Sequence, residues 1–368
     1  MAKEVRPIGI EHLDDWFGNP RVGAGFLHTG WDMYTVKQGA HQLMSIFKKD
    51  AQLRYGLMAA GTNGSAEGMV QILNRTLWAN RSDIAKACIG FRYKPGNRTP
   101  SAAIPIGMKL DRVTGDGGAS ADNVIYTFPT TQGEAYFEIE IIPYDGVAGY
   151  GFTVYRDGDQ IATAAMGSWF TRAAWPACQF AIGSATLVHA AQVNGWLQGD
   201  YMFSWEDMYV AWTTDQTEKI RLGPIRVKRL PYEQVDLSNW TAQGGKTALD
   251  ILNLTNNSAN KRTDYLSSDP ANSVLKCKLD LSGLKSSDQV LALSAITSAW
   301  RDGGTVGNLN VRWDHTDGQS AASAYTPTSD VYTQQFDKQV PVLTQTPGGA
   351  ALTKASMAAL ELVVTPSA

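Results

Sequence analysis

Along residues 135–141, Ala135-Tyr136-Phe137-Glu138-Ile139-Glu140-Ile141, polar and apolar side chains alternate, and this pattern constrains the fold more than any other feature. Neighbouring residues of a strand point to opposite faces, so the stretch predicts a β-strand with one apolar and one wet face. A second strand is expected over 151–156. Asp157-Gly158 then offers the left-handed pair of a type I′ turn before a return over 160–164. Hairpins of this kind build antiparallel sheet.

Further short apolar runs bounded by Gly, Pro, Asn or Asp predict strands over 69–73, 88–93, 104–110 and 124–128. Residues 40–57 fit helix and strand equally. Over 219–230, apolar residues alternate with Arg221, Arg226, Lys228 and Arg229, which predicts a closing strand interrupted by a bulge at Gly223-Pro224. Near Pro231-Tyr232 the composition turns poorer in Trp and richer in Asn, Ser, Thr and Asp. Strands are expected beyond it over 247–254, 274–281, 289–295, 308–313, 331–336 and 360–365, with a hairpin turn at Asp317-Gly318. Thr353 is placed to cap a short helix over 354–359.

With 368 residues the chain has room for two domains. Strands at roughly ten-residue spacing without intervening long helices predict a mostly β protein: two antiparallel β-sandwich or jelly-roll domains with few short helices. The expected division is 1–231 for a sandwich with an N-terminal extension and 232–368 for a smaller jelly-roll-like domain.

A net charge of -3 gives no long-range attraction to nucleic acid or to an anionic membrane. No apolar run reaches the ~18 residues of a membrane span, and the first residues lack the apolar core of a signal peptide. Cys88, Cys178 and Cys277 are odd in number and widely spaced. They are therefore expected to be free thiols in a protein assembled in reducing cytoplasm.

Motifs for chemistry are sparse. Glu138 and Glu140 share one strand face, as the acid pair of a glycosidase must. Ile142 stands at the third alternate position where such a strand carries another acid, so the pair is expected to be a solvated strand face. The five histidines show no metal-ligating spacing, and Asp314 and Asp317 lack the oxygen ladder of a calcium loop. No nucleotide-binding glycine motif is present, so neither metal nor cofactor is expected. Trp169 in Ser168-Trp169-Phe170-Thr171 and Trp196 in Gly195-Trp196-Leu197-Gln198-Gly199 sit in turn-like settings. They are the candidate contact aromatics, because Trp dominates interface hot spots and stacks on sugars.

Glu134 to Ile141, Gly151 to Gly158 and Leu222-Gly223-Pro224-Ile225-Arg226-Val227 resemble strands of concanavalin-like (laminin-G-like) sandwiches. In the last third, Ala248 to Asn253, Tyr265 to Ser268, Val290 to Leu293 and Leu360 to Val364 resemble β-domains of tailed-bacteriophage virion proteins. These resemblances imply a structural component of a phage particle: tail, baseplate, fibre or capsid-associated. Its partners would be itself in a homo-oligomer and other virion proteins, with assembly in the host cytoplasm. The alternative is a carbohydrate- or receptor-binding module of a tail fibre that contacts a host surface glycan, and a glycan-cleaving depolymerase ranks after both. No membrane and no specific nucleic acid is expected as partner, and no enzyme activity.

Overall fold

The computed structural model describes residues 4–8, 31–34, 44–49, 54–60, 69–73, 82–95, 106–112, 124–129, 131–145, 150–165, 168, 170–184, 201–228, 230–253, 264–268, 272–295, 298–299, 307–327, 335–336 and 342–367. The chain is mostly β and its sheets are antiparallel. It divides into two compact units, with the cut between Val227 and Lys228.

The first strand is β1 (Glu4–Ile8), whose Val5–Pro7 group with the second unit. The strands of the first unit are β2 (Trp31–Tyr34), β3 (Met44–Lys49), β4 (Arg54–Ala60), β5 (Met69–Leu73), β6 (Lys86–Pro95), β7 (Ile106–Arg112), β8 (Val124–Thr127), β9 (Ala135–Ile142), β10 (Gly151–Arg156), β11 (Asp159–Ala164), β12 (Cys178–Ser184) and β13 (Tyr201–Thr213). One sheet runs β11-β10-β9-β6-β13-β4-β3, and a second runs β2-β5-β12-β7-β8. The two face each other through an aromatic cluster. Phe128, just past β8, lies 4.7 Å from Tyr93 of β6 and 5.0 Å from Phe137 of β9, while Tyr126 of β8 lies 6.1 Å from Phe137. The first pair is stacked and the second edge-on, geometries that favour rings beyond the burial of their area, and the third is tilted. Phe91, Phe137, Ile139 and Ile141 are fully buried beneath them.

The β10–β11 hairpin forms where expected. Arg156 pairs with Asp159 across a two-residue turn, and Asp157 and Gly158 take φ of 52° and 99°. The Asp157 carboxylate also accepts the Tyr136 amide at 2.9 Å, which ties the turn to β9.

The expected closing strand over 219–230 does not form, since residues 214–228 hold no strand. Residues 220–227 instead cross the sheet as an irregular strap. Gly223 has φ of 74° and Pro224 has no N–H, so neither supports a regular ladder. The amides of Leu222 and Gly223 are bonded by the buried Glu138 carboxylate and that of Val227 by the half-buried Asp207 carboxylate.

The second unit holds β14 (Tyr232–Ser238), β15 (Trp240–Ala242), β16 (Leu266–Ser268), β17 (Val274–Leu279), β18 (Ser298–Ala299), β19 (Asn308–His315), β20 (Gly318–Gln319), β21 (Ser323–Tyr325), β22 (Gln335–Phe336) and β23 (Glu361–Ser367). Its main sheet runs β14-β17-β23-β19-β20, with β21 also on β19. Alternate residues Leu275, Cys277 and Leu279, Val311 and Trp313, and Leu362 and Val364 form the core with Leu352, Met357 and Leu360.

Two expected strands are absent here. Residues 247–254 contain a short helix, α1 (Ala248–Leu252), because Thr247 and Asp250 close a reciprocal capping box that satisfies the first-turn amides. Over 289–295 only a single bridge, Leu293 to Leu343, forms. The expected helix at Thr353 is present as α2 (Lys354–Met357), with Thr353 as its cap. The Asp317-Gly318 hairpin also forms, with Thr316 and Asp317 as the loop and His315 paired to Gly318.

Candidate functional site

The polar residues of β9 define the site. Tyr136, Glu138 and Glu140 alternate on the face opposite Phe137 and Ile139, which point into the aromatic core. That face was expected to be solvated, and the structure overturns this: Glu138 is 1% exposed. Alternation assigns a residue to a face but says nothing of what lies over the face, and here the 220–227 strap covers it.

Glu138 is held entirely by donors. Its Oε1 accepts from Tyr209 Oη at 2.5 Å, Gly223 N at 2.9 Å and Leu222 N at 3.1 Å. Arg221 Nη1 stands 3.8 Å from Oε2. Multiple donors of this kind are what a carboxylate needs to be tolerated in a protein interior. Because the Tyr209 hydroxyl gives its proton to Glu138, the Cys88 thiol, 3.2 Å away, donates to Tyr209. Burial, followed by the nearby Cys88 and Glu138, drives the Tyr209 hydroxyl far above the usual phenol range. Burial likewise pushes the Cys88 thiol up.

A second carboxylate anchors the other end of the strap. Asp207 lies at a bulge in β13, where the register with β6 shifts between Glu206 and Tyr209, and its φ is 54°. Bulges re-aim side chains. The Asp207 carboxylate accepts Arg92 Nε at 3.1 Å and Val227 N at 3.0 Å. Its carbonyl accepts the Tyr136 hydroxyl at 3.0 Å.

Toward the solvent edge the network opens. Glu140, with a side chain 18% exposed, accepts the Tyr155 hydroxyl at 3.1 Å and lies 3.8 Å from Lys86 Nζ. The guanidinium of Arg221 lies 3.6 Å above the Tyr155 ring centre, a cation–π stack that fixes both planes. Burial and Glu140 together raise the Tyr155 hydroxyl. The row Lys86–Glu140–Tyr155–Arg221 thus runs across β6, β9, β10 and the strap. Sequence reading singled out Glu140 and Arg221 for other roles and missed the row. The parity of β9 and β10 places Glu140 and Tyr155 on one face, but nothing in sequence shows the strap delivering Arg221 there.

Near the same hairpin, Tyr144 and Tyr150 meet edge-on at 4.6 Å and both are half-buried. Trp169 and Trp196, the expected contact aromatics, lie outside the described residues. Of their aromatic neighbours in sequence, Phe170, Trp175, Tyr209 and Trp212 are buried in the core. In the second unit, the Asp314 carboxylate receives Arg312 at 2.7 and 3.1 Å, and Asp317 receives Thr346 and Gly348. Among the described residues no group of three or more His, Cys, Asp or Glu is arranged to hold a metal ion, and no helix is long and apolar enough to cross a membrane.

No protein-family model matches the sequence, and no curated protein matches it. Among solved structures, the chain is similar to a xylan-binding domain from Paenibacillus barcinonensis (10% identity, TM-score 0.27, 52% of this chain and 88% of that one). It is also similar to an endo-β-1,4-glucuronan lyase from Trichoderma reesei (14% identity, TM-score 0.31, 50% and 92%). A third likeness is to a carbohydrate esterase from a Shiga toxin-encoding bacteriophage (11% identity, TM-score 0.29, 50% and 90%). At these TM-scores no residue role and no activity passes from those proteins to this chain.

Proposed function

We propose that this chain acts by surface contact, as a β-sandwich module that binds carbohydrate, and that it carries out no bond-making chemistry. The observation that supports this reading is the state of the acid pair on β9. A glycosidase needs two carboxyls facing one bond, one to protonate the leaving oxygen and one to attack or to activate water. Glu138 is sealed beneath the strap with Tyr209 and two amides on its Oε1, so only Glu140 reaches the edge. What remains at the surface is a row of hydrogen-bonding groups held in place by their neighbours, which suits recognition of a polyhydroxylated partner.

The narrower form of the proposal places this surface on a virus particle, in a homo-oligomer and beside other virion proteins. It rests on the sequence resemblance of the last third to tailed-phage virion domains.

Binding of the purified chain to an immobilised glycan array, read alongside product analysis after long incubation with the bound glycans, tests the proposal. Retention of one or more glycans with no new reducing ends or unsaturated products is expected. Chain cleavage, or no retention at all, would overturn it. Mass in solution and immunogold location on purified particles test the narrower form. A monomer absent from every particle would defeat that part alone.

A further inference from the structure

Lys86 and Arg221 stand at the two ends of the polar row, and among the described residues neither donates a direct hydrogen bond to the protein. Each is held by a carboxylate at ion-pair range only, Lys86 Nζ by Glu140 at 3.8 Å and Arg221 Nη1 by Glu138 at 3.8 Å. Their side chains are 9% and 24% exposed. An ammonium carries three donors and a guanidinium five, and neither Lys86 Nζ nor an Arg221 nitrogen is among the described polar atoms buried without a partner, so their donors face the open edge. A separation of 3.8 Å exceeds a direct hydrogen bond, which leaves these donors available to a ligand oxygen at the open edge.

From this row we infer a binding site for neutral, hydroxyl-rich sugar units, with Lys86 and Arg221 donating to the sugar oxygens and Glu140 and Tyr155 accepting from its hydroxyls. The inference rests on the carbohydrate reading above and narrows it to one place and one ligand class. Charge selects the class. Lys86 and Arg221 bring two positive charges, and Glu138 and Glu140, at ion-pair distance from them, bring two negative ones. With the buried Glu138 beneath it counted, the row is formally neutral. A uronate or phosphate entering it would meet the Glu140 carboxylate, which already lies beside Lys86, and would gain no net attraction.

Hydroxyl chemistry fits the pattern of groups. Glu140 Oε2 accepts the hydrogen bond of the Tyr155 hydroxyl, while Glu140 Oε1 and a Tyr155 lone pair remain as acceptors between the two cationic donors. A sugar hydroxyl donates once and accepts twice, so adjacent hydroxyls on a pyranose satisfy donors and acceptors in turn, which a purely accepting anion does not. Preorganisation favours the site as well. Arg221 is stacked on Tyr155, Tyr155 is bonded to Glu140, and β6, β9 and β10 are hydrogen-bonded neighbours, so little side-chain freedom is lost on binding. Because the guanidinium covers one face of the Tyr155 ring, recognition here runs through hydrogen bonds and not through stacking on that face.

Titration calorimetry of the full chain with cellohexaose and xylohexaose as neutral probes, and with hexagalacturonate as acidic probe, tests the inference. Three near-isosteric variants, Lys86→Met, Tyr155→Phe and Arg221→Lys, are compared with Lys278→Met in the second unit, and far-ultraviolet circular dichroism with melting curves shows which of them are folded. The wild type is expected to bind at least one neutral hexamer more tightly than hexagalacturonate. Lys86→Met and Arg221→Lys should each weaken it about tenfold or more, the loss expected for a charge-assisted hydrogen bond, while Lys278→Met leaves it unchanged. Folded variants that bind as the wild type does would place the site elsewhere while leaving the carbohydrate reading intact. Tighter binding of hexagalacturonate would overturn the neutral class. Failure of the wild type on these probes and on the whole glycan array would remove the carbohydrate reading, and this inference with it.

Discussion

The ring of Tyr209 occupies the space above Gly90 that any β-carbon there would need. The two residues are paired across β13 and β6, and this glycine lets the phenol lie flat enough to reach Glu138 and Cys88. Gly90→Ala forces the ring out of its place in a packed interior, so a loss of about 2 kcal/mol or more is expected. Urea unfolding measures it. An unchanged midpoint would show that the ring shifts without cost.

Glu138 and Glu140 are expected to differ sharply despite their spacing. Glu138→Gln replaces the buried acceptor of three hydrogen bonds and puts an amide among donors, for a loss of about 2–3 kcal/mol. Glu140→Gln acts at a part-exposed position and should cost under about 1 kcal/mol. Equal effects in chemical unfolding of the two variants would contradict the burial difference.

Cys88 and Cys277 are free and buried. Burial pushes the Cys277 thiol up to about 12 and also raises Cys88, and only the thiolate attacks a disulfide reagent. In native buffer at neutral pH, both should resist Ellman's reagent on the timescale over which denatured chain reacts fully. Fast native labelling of either, located by peptide mass spectrometry, would show that its cover opens. Cys178 was expected to be free as well, but its side chain lies outside the described residues.

Asp317 titrates below the usual carboxylate range because Thr346 bonds its side chain, with further help from His315 and the Gly348 amide. A group with a lowered folded-state pKa contributes stability above its unfolded pKa, and this is lost as pH falls through the folded value. The wild type should therefore lose melting temperature on acidification below about pH 4. Asp317→Asn should lower the melting temperature at pH 7 and narrow its gap from wild type as the pH falls. A gap that widens on acidification would reverse the sign of the argument.

Much of the fold was legible in the chain. The 135–141 alternation and the Asp157-Gly158 pair are local signals, and β9, β10 and β11 form on them. The Thr353 cap is local too. Thr247-to-Asp250 carries an equally local capping signal, yet the apolar run around Ile251 suggested a strand, and the cap prevailed. The site was far less legible, because the burial of Glu138 depends on a strap 84 residues further along. The same applies to Asp207, whose carboxylate takes the Val227 amide only because a bulge turns it. Side-chain alternation carries no information about such distant cover.

The strap's two clips also make it a ruler. Gly223 is fastened to Glu138 on β9 and Val227 to Asp207 on β13, and β6 lies between those strands. Two interstrand gaps are about 10 Å across, and Asp207 sits two residues along from the Tyr209–Gly90–Glu138 row. Four residues of extended chain reach at most about 14 Å, which leaves almost no slack. Deleting one residue between the clips would release one of them, and inserting one would lift the backbone off the sheet. Residues 223–227 therefore tolerate changes of side chain far better than changes of length, even though they form no regular secondary structure.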